Sequence, residues 1–287
     1  MSKITKALEK AARERLERRQ ERATVAAKTT ELPLARAAGG VRAADSIRID
    51  PHIVSAADPV SPIAEQYRIL RTNLQSADHS PGPKIWLVTS AIHEEGKSVT
   101  AINLAMALAQ QEHLRVLLID SDLRRSAVHR WLGLDAKTGL STVLTNGLTL
   151  DGAAVRLQTP PLTVLPAGPK PAYPAELLES SHMKQLLATL RTQFDAIVID
   201  APPILPVTDP GILGLQADGV LLVIRAGKTQ RKIVLQAQEL LNQAKAKIVG
   251  CVLTYAEHYV HGYYRYYRYA HADQDAEKPP RTNGDSS

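Results

Sequence analysis

The sequence predicts an α/β fold with a mostly parallel sheet and helices on both faces. Short apolar runs such as KIWLVTS (84–90) and DAIVIDAPP (195–203) alternate with longer segments whose apolar residues recur at helical spacing. Strands buried on both faces read as continuous apolar runs, and parallel neighbours need crossover helices between them. An apolar share of 44% over 287 residues permits one sizeable core. The pattern is therefore typical of a sheet between two helical layers.

The regular pattern begins at Ser61. The pair Ser61-Pro62 predicts a helix start, because serine caps helix N-termini and proline suits the first helical position. Six apolar runs follow as strand candidates, with helical spacing between them. The predicted strands are 84–90, 114–120, 162–168, 195–203, 219–227 and 247–253, and the predicted helices are 62–77, 97–111, a short one near Trp131, 174–194 and 229–245.

The two ends of the chain differ from this regular part. Residues 1–28 hold nine Lys/Arg and four Glu, with apolar residues at spacing four, which predicts a basic and weakly amphipathic helix. Such a helix suits a partner helix or an anionic membrane surface, or it is simply solvated and partly frayed. Proline and glycine punctuate 29–60, as in a linker. We divide the chain into a basic helix and linker (1–50), a folded domain (51–254) and a flexible, tyrosine-rich tail (255–287).

Composition narrows the classes of function. Cys251 is the only cysteine, so an intramolecular disulfide is excluded and a buried thiol in a reducing compartment is expected. No run of about 18 apolar residues occurs and the N-terminus is charged from Lys3 onward, so we expect a cytoplasmic protein. The net charge of +6 is compatible with nucleic acid, anionic lipid or an acidic partner, and does not choose among them.

The loop after the first predicted strand has the pattern of a phosphate-binding loop. Residues 91–98, AIHEEGKS, fit G-x-x-x-x-G-K-[ST] except at the first glycine, and a helix follows directly. In such loops backbone amides and the helix N-terminus attract phosphate oxygens, the lysine neutralises phosphate charge and the hydroxyl binds Mg²⁺. The loop therefore predicts a P-loop nucleotide site with Lys97 and Ser98 at its centre.

Carboxylates follow two other apolar strands. Asp120 and Asp122 stand in VLLIDSDLRR, and Asp200 stands in IVIDAPP. The carboxyl ends of parallel strands meet at one edge of a sheet, so we expect these side chains to converge on the phosphate loop. Carboxylates there suit Mg²⁺ binding and proton acceptance, although each aspartate alone also suits a helix cap or a turn.

Together these motifs resemble those of the bacterial tyrosine kinases, a P-loop family unrelated to eukaryotic kinases. The chain shows TSxxxxEGKS, a strand ending in DxDxR, a strand ending in DxPP and a tyrosine cluster after the last strand. Glu65-x-x-Arg68-x-x-Arg71 matches the family's oligomerisation motif. The resemblance covers about residues 55–270, and MSKITKALEKA is similar to the tyrosine autokinases of exosortase-linked exopolysaccharide loci. It implies that 51–254 is a P-loop tyrosine kinase domain.

The resemblance implies roles for individual residues. Asp120 is the expected base, and Asp120 and Asp122 are the carboxylates that follow the second strand. Asp209 is either a supporting residue or a turn residue. The implied catalytic residues are Lys97, Asp120, Asp122 and Asp200. The implied ATP contacts are Ser90, Glu95, Gly96, Lys97, Ser98, Val99 and Arg124, unless Arg124 instead fixes the carboxylates. The implied Mg²⁺ ligands are Ser98, Asp120 and, through water, Asp200.

The tyrosine cluster is the expected substrate. Seven of the nine tyrosines fall within 255–269, beside arginines and histidines and ahead of a polar tail. An aromatic strand or a surface that stacks RNA bases is the alternative, but YYRYYRY lacks strand alternation and a mobile tail can enter an active site. No nucleic acid partner is therefore expected. The predicted autophosphorylation sites are Tyr255, Tyr259, Tyr263, Tyr264, Tyr266, Tyr267 and Tyr269.

Partners follow from the same resemblance. Glu65, Arg68 and Arg71 share one helix face, which predicts either a solvated charged face or a contact in a ring of identical subunits that phosphorylate one another. The resemblance further implies a membrane polysaccharide co-polymerase or chain-length regulator as partner, a cognate tyrosine phosphatase, and a location at the inner face of the plasma membrane. The implied role is regulation of exopolysaccharide polymerisation and export.

Two positions depart from the family pattern. Glu94 stands where family loops often have glycine, which predicts strain if the position needs a positive φ, and weaker ATP binding. Thr254 stands where asparagine is common, which affects a contact to the base. A MinD/ParA-like ATPase switch is the alternative function, although the extra lysine of KGGxGK is missing at 91–93. A catalytically weak scaffold is the third.

Overall fold

The computed structural model describes residues 42–43, 48–77 and 80–256. The predicted N-terminal helix and most of the predicted linker lie outside this part. Of the tyrosine cluster, Tyr255 is described, and Tyr259, Tyr263, Tyr264, Tyr266, Tyr267 and Tyr269 lie outside it. Within the described ranges, no helix has the length and apolar character needed to cross a membrane.

The described strands form one eight-stranded sheet of order β1-β4-β5-β3-β6-β2-β7-β8. All neighbours are parallel except β4 and β5, so the predicted mostly parallel sheet is confirmed. The strands are β1 Arg42–Ala43, β2 Lys84–Ser90, β3 Val116–Asp120, β4 Val155–Arg156, β5 Leu162–Leu165, β6 Ala196–Asp200, β7 Gly219–Arg225 and β8 Ile248–Thr254.

Helices cover both faces of this sheet, as predicted. One core contains side chains of α2, α3 and α4, and the other contains those of α5 to α10. The helices are α1 Val54–Ala57, α2 Pro62–Ala77, α3 Lys97–Ala109, α4 Val128–Trp131, α5 Leu140–Asn146, α6 Leu150–Ala153, α7 Pro174–Glu179, α8 Ser181–Gln193, α9 Asp209–Gly214 and α10 Arg231–Gln243.

The centre of the sheet positions the site. Strands β3 and β6 are buried along their whole length and pair in parallel, so that Asp120 lies opposite Asp200. Strand β2 pairs with the other edge of β6 and leads directly into the phosphate loop. The three predicted loops therefore leave the same edge of the sheet from adjacent strands.

Several element boundaries differ from the prediction. The expected helix 174–194 is two helices, because Ser180 takes an extended ψ of 157° and its hydroxyl accepts the Met183 amide to cap α8. Strand β5 ends at Leu165 rather than 168, because the carbonyls of Pro166 and Ala167 instead accept the first amides of α5. Cys251, expected to be buried, is exposed because β8 is an edge strand.

Candidate active site

The phosphate loop turns into α3 at a glycine in the left-handed region. Gly96 has φ +88°, and its carbonyl accepts the Thr100 amide at 2.9 Å to start the helix. A Cβ atom at this position would lie 3.2 Å from the Thr254 methyl group. Both the backbone angle and the neighbour therefore favour glycine here.

Glu95 holds the loop from inside the protein. Its side chain is fully buried. Oε2 accepts the Ile92 amide at 2.8 Å, and Oε1 accepts the Arg225 amide at 3.3 Å and the Thr229 hydroxyl. The predicted nucleotide contact of Glu95 therefore does not involve its carboxylate, which instead joins the loop to the end of β7 and the turn that follows it.

Glu94, which stands where the family often has glycine, adopts a positive φ. Its φ is +63°, and its side chain is 79% exposed. Lys228 Nζ lies 3.1 Å from Glu94 Oε2, and the hydrogen bond and charge of Lys228 lower the pKa of Glu94. The Arg225 guanidinium donates to the Glu94 carbonyl at 3.4 Å. The strain is therefore present, while the carboxylate is paired at the protein surface.

Thr254 also supports the loop. Its hydroxyl donates to the Glu95 carbonyl at 2.8 Å, from the last residue of β8. The position where the family often has asparagine thus carries a bond that fixes the phosphate loop next to Gly96. This contact could not be predicted from the sequence, because 158 other residues separate the two positions along the chain.

Lys97 lies between two carboxylates. Its Nζ is 3.1 Å from Asp122 Oδ2 and 3.3 Å from Asp200 Oδ1, and it lies 3.2 Å from Ser98 Oγ. Burial lowers the pKa of Lys97, but the surrounding carboxylates, first that of Asp200, outweigh this effect and raise it. The ammonium group therefore stays charged beside the loop.

Asp120 is buried and held by backbone amides. Oδ1 accepts the Asp122 amide at 3.1 Å, and Oδ2 accepts the amides of Ala127 and Val128 at 3.1 Å each. Burial and the charge of Asp200 raise the pKa of Asp120 to about 7. Burial also raises the pKa of Asp200, although Lys97 opposes this. Asp120 can therefore exchange a proton near neutral pH.

Hydrogen bonds tie the three loops together. The Ser121 amide and hydroxyl both donate to the Asp200 carbonyl at 2.8 Å. The Thr89 hydroxyl donates to the Pro202 carbonyl at 2.7 Å, and the Ile204 amide donates to the Ser90 carbonyl at 2.9 Å. The predicted convergence of the loops after 90, 120 and 200 is therefore present in the structure.

Arg124 pairs with Asp209, whose position in the sequence suits either a supporting residue or a turn residue. Its Nε and Nη2 donate to the two oxygens of Asp209 at 2.9 Å each, and Asp209 is fully buried at the start of α9. Asp209 thus fixes the position of the Arg124 guanidinium. The two predicted roles of Arg124, contact with phosphate or support of the carboxylates, stay predictions. The nearest signal in the sequence was a proline after Asp209, which marks a helix start as well as a turn.

The donor set fits the predicted Mg²⁺. Burial raises the pKa of Asp200 while the nearby Ser98 hydroxyl lowers it, and Asp200 Oδ2 is buried with no hydrogen-bond partner among the described residues. Mg²⁺ prefers oxygen ligands and in nucleotide sites takes only one or two from the protein, with the rest from phosphates and water. The described part of the chain has no group of three or more His, Cys, Asp or Glu arranged for a metal, but a site of this kind does not require one.

Comparison with known proteins identifies the family. Residues 94–248 match a family described as an AAA domain. The chain is 40% identical over 220 residues to the tyrosine-protein kinase YwqD of Bacillus subtilis, across 77% of this chain and 92% of that protein. The chain belongs to the bacterial tyrosine kinases.

Further relatives of this bacterial tyrosine kinase agree. The tyrosine-protein kinase CpsD of Streptococcus agalactiae is 33% identical over 211 residues, which is 73% of this chain and 91% of that one. The solved kinase domain of the Escherichia coli tyrosine kinase ETK has a TM-score of 0.68 at 31% identity, across 70% of this chain and 79% of that one. The predicted P-loop fold and the prediction of a protein-tyrosine kinase are confirmed by these similarities.

In this kinase, the three residues of the oligomerisation motif make contacts within the chain. Arg68 Nε lies 2.6 Å from Glu65 Oε2, and Arg68 Nη1 donates to the Pro59 carbonyl at 2.7 Å. Arg71 donates to the Ala107 carbonyl of α3 at 2.7 Å, and burial lowers its pKa. Glu65 and Arg68 remain partly exposed at 32% and 28%, so the contact between subunits stays a prediction.

Tyr255 packs on the segment that supports the phosphate loop. The Arg225 guanidinium carbon lies 4.0 Å from the centre of the Tyr255 ring, and Tyr255 has φ +56°. The same guanidinium donates to the Glu94 carbonyl. This first tyrosine of the cluster is therefore held against its own subunit, although the residue as a whole is 59% exposed.

Proposed function

We propose that this kinase transfers the γ-phosphoryl group of ATP to tyrosines of its own C-terminal segment. The observation that carries this proposal is Lys97, held between Asp122 and Asp200 at the phosphate loop with Asp120 buried in the adjacent strand. Phosphoryl transfer asks the protein mainly for positioning and charge neutralisation. One lysine, one hydroxyl and three carboxylates at one sheet edge supply both.

In the proposed reaction the tyrosine hydroxyl oxygen attacks the γ-phosphorus. The bond between that phosphorus and the β,γ-bridging oxygen breaks, and ADP leaves with the electron pair. The hydroxyl proton passes to the Asp120 carboxylate. A pKa of about 7 suits this group to accept a proton near neutral pH. Lys97 offsets negative charge at the phosphates, and its pairing with Asp122 and Asp200 fixes its ammonium group.

Ser98 and Asp200, with Asp120 beside them, would hold Mg²⁺. Bound there, the ion supplies charge neutralisation at the β- and γ-phosphate oxygens. The unpartnered Oδ2 of Asp200 supports this assignment. For the nucleotide itself, the amides of the loop and of the first turn of α3, from Gly96 to Val99, are the proposed phosphate donors.

We infer the wider role from the family resemblance. The kinase regulates exopolysaccharide polymerisation and export at the inner face of the plasma membrane, together with a membrane chain-length regulator and a cognate phosphatase. Subunits assemble into a ring through Glu65, Arg68 and Arg71, and the tail of one subunit is phosphorylated by another. The partial exposure of Glu65 and Arg68 supports the interface. Phosphates added to the tail would repel each other and loosen the ring.

The first experiment maps phosphotyrosine by mass spectrometry after incubation with Mg-ATP. Lys97→Met is compared with Lys232→Met, which removes the same charge from the exposed first turn of α10. Phosphate on residues 255–269 that is lost only in Lys97→Met supports the kinase. ATP turnover without phosphotyrosine would instead favour an ATPase switch, and neither activity would favour a scaffold.

A second experiment tests transfer between subunits and the ring. Isotope-labelled Lys97→Met protein is mixed with unlabelled, unsubstituted kinase, and phosphate on the labelled tail peptides indicates transfer in trans. Alanine at Glu65, Arg68 and Arg71 should reduce the molar mass measured by light scattering. Thermal unfolding is measured in parallel, because Arg71 also bonds α3. An unchanged mass in a folded variant would refute the interface.

A further inference from the structure

We propose that Lys228 is a positioning residue of the nucleotide site, which holds the Glu94 carboxylate away from the phosphates. The inference rests on the proposed binding of ATP at the phosphate loop. It concerns a contact between the loop and the segment after β7 that the loop's own sequence motif does not contain.

The end of β7 and the turn after it (225–229) contact Glu94 at two points. Lys228 Nζ lies 3.1 Å from Glu94 Oε2, and the Arg225 guanidinium donates to the Glu94 carbonyl. Glu94 adopts φ +63°, which residues other than glycine rarely take. Contacts with its surroundings, rather than its own conformational preference, therefore fix its backbone. The neighbouring Glu95 is bound to the same segment through Thr229 and the Arg225 amide.

The negative charge of Glu94 connects this contact to nucleotide binding. Glu94 is part of the loop that the sequence motif assigns to phosphate, and its side chain is 79% exposed, so it is not buried away from a nucleotide bound there. An unpaired carboxylate in this loop would repel the phosphates that the motif assigns to it. Lys228, itself 45% exposed, pairs with the carboxylate at 3.1 Å and offsets its charge.

The expected effect on nucleotide affinity is small because the ion pair between Lys228 and Glu94 is exposed. Exposed ion pairs are weak and screened by salt, so losing this one should weaken nucleotide binding by about two- to five-fold at low ionic strength. A lysine that instead touched the phosphates directly would act whether or not Glu94 is charged. This difference allows the two roles to be separated.

The test is a double-mutant cycle on the full chain, with a fluorescent ATP analogue and Mg²⁺ as the probe. Lys228→Met and Glu94→Gln are made singly and together, because glutamine keeps the size of the side chain and removes only its charge. Lys232→Met is the matched control, since Lys232 is an exposed lysine in the first turn of the next helix, α10, with no carboxylate partner among the described residues. Thermal unfolding verifies that each variant is folded.

We expect Lys228→Met to raise the dissociation constant in the Glu94 background and to leave it unchanged in the Gln background, with the difference shrinking as salt is raised. Equal weakening in both backgrounds would overturn the inference in favour of direct phosphate contact. No weakening in either would overturn it as well, while the proposed function would stand. An unsubstituted chain that binds no nucleotide would overturn the proposed function and this inference together.

Discussion

The buried carboxylate of Glu95 leads to a prediction about the smallest change that should loosen the phosphate loop. Glutamine has the same shape as glutamate but replaces one oxygen acceptor by an NH₂ donor. Both oxygens of Glu95 accept hydrogen bonds from backbone amides, Oε2 from Ile92 and Oε1 from Arg225. Glu95→Gln must therefore present its NH₂ group to one of these two amides.

The expected cost follows from these partners. If the NH₂ group faces Arg225, the Thr229 hydroxyl can turn to accept it, but the Arg225 amide loses its acceptor. If it faces Ile92, the Ile92 amide loses its acceptor instead. One buried donor without a partner costs about 1–3 kcal/mol, so Glu95→Gln should lower the free energy of unfolding by about that amount. Glu95→Ala leaves both amides without acceptors and should cost about twice as much.

The assay is equilibrium urea unfolding followed by circular dichroism, with the slope m compared between variants. Thr229→Val removes one donor and leaves no amide unpaired, so it should cost only about 1 kcal/mol. Glu112→Gln changes an exposed glutamate in the same way and should stay within about 0.5 kcal/mol of the unsubstituted protein. A Glu95→Gln midpoint equal to that of Glu112→Gln would refute the reasoning.

Three further predictions concern other contacts of the site. Arg124→Met should reduce the free energy of unfolding by about 3–5 kcal/mol, because it leaves the fully buried Asp209 unpaired. Asp209→Asn leaves only the 35% exposed Arg124 without its partner and should cost clearly less. Equal losses in urea unfolding would contradict this. Burial and the charge of Asp200 raise the pKa of Asp120 from its ordinary 3.8 to about 7 in the folded protein, so the free energy of unfolding should fall as pH rises from about 4 to 7. Asp120→Asn should flatten that slope, and an unchanged slope would exclude Asp120 as its source. Tyr255 stacks on Arg225, so mass spectrometry should find it the least phosphorylated tyrosine, with its share rising in Arg225→Gln; early modification of Tyr255 would show that the stacking does not protect it.

The P-loop and the carboxylates could be predicted because their positions follow from local rules. A Gly-Lys-Ser loop between a strand and a helix, and aspartates at the ends of apolar strands, are visible in the sequence and must meet at one edge of a parallel sheet. Helix α2 was predicted with its observed bounds for the same kind of reason, since Ser61 and Pro62 mark its start. Helix α9 was missed because six residues are too few for a periodic pattern, and α7 and α8 were joined because Ser180 also suits a helix interior.

By itself, the sequence determined the mostly parallel sheet, the phosphate loop, Lys97 among carboxylates and the tyrosine-rich segment, because each depends on apolar periodicity or on residues close together in the chain. Only the tertiary structure decided what Glu94, Glu95, Arg124 and Thr254 do. Their partners lie 85 to 159 positions away, and which distant groups meet is fixed by strand order and packing. For Glu94 the sequence raised the question of strain and charge, and the fold answered it by bringing Lys228 to its side.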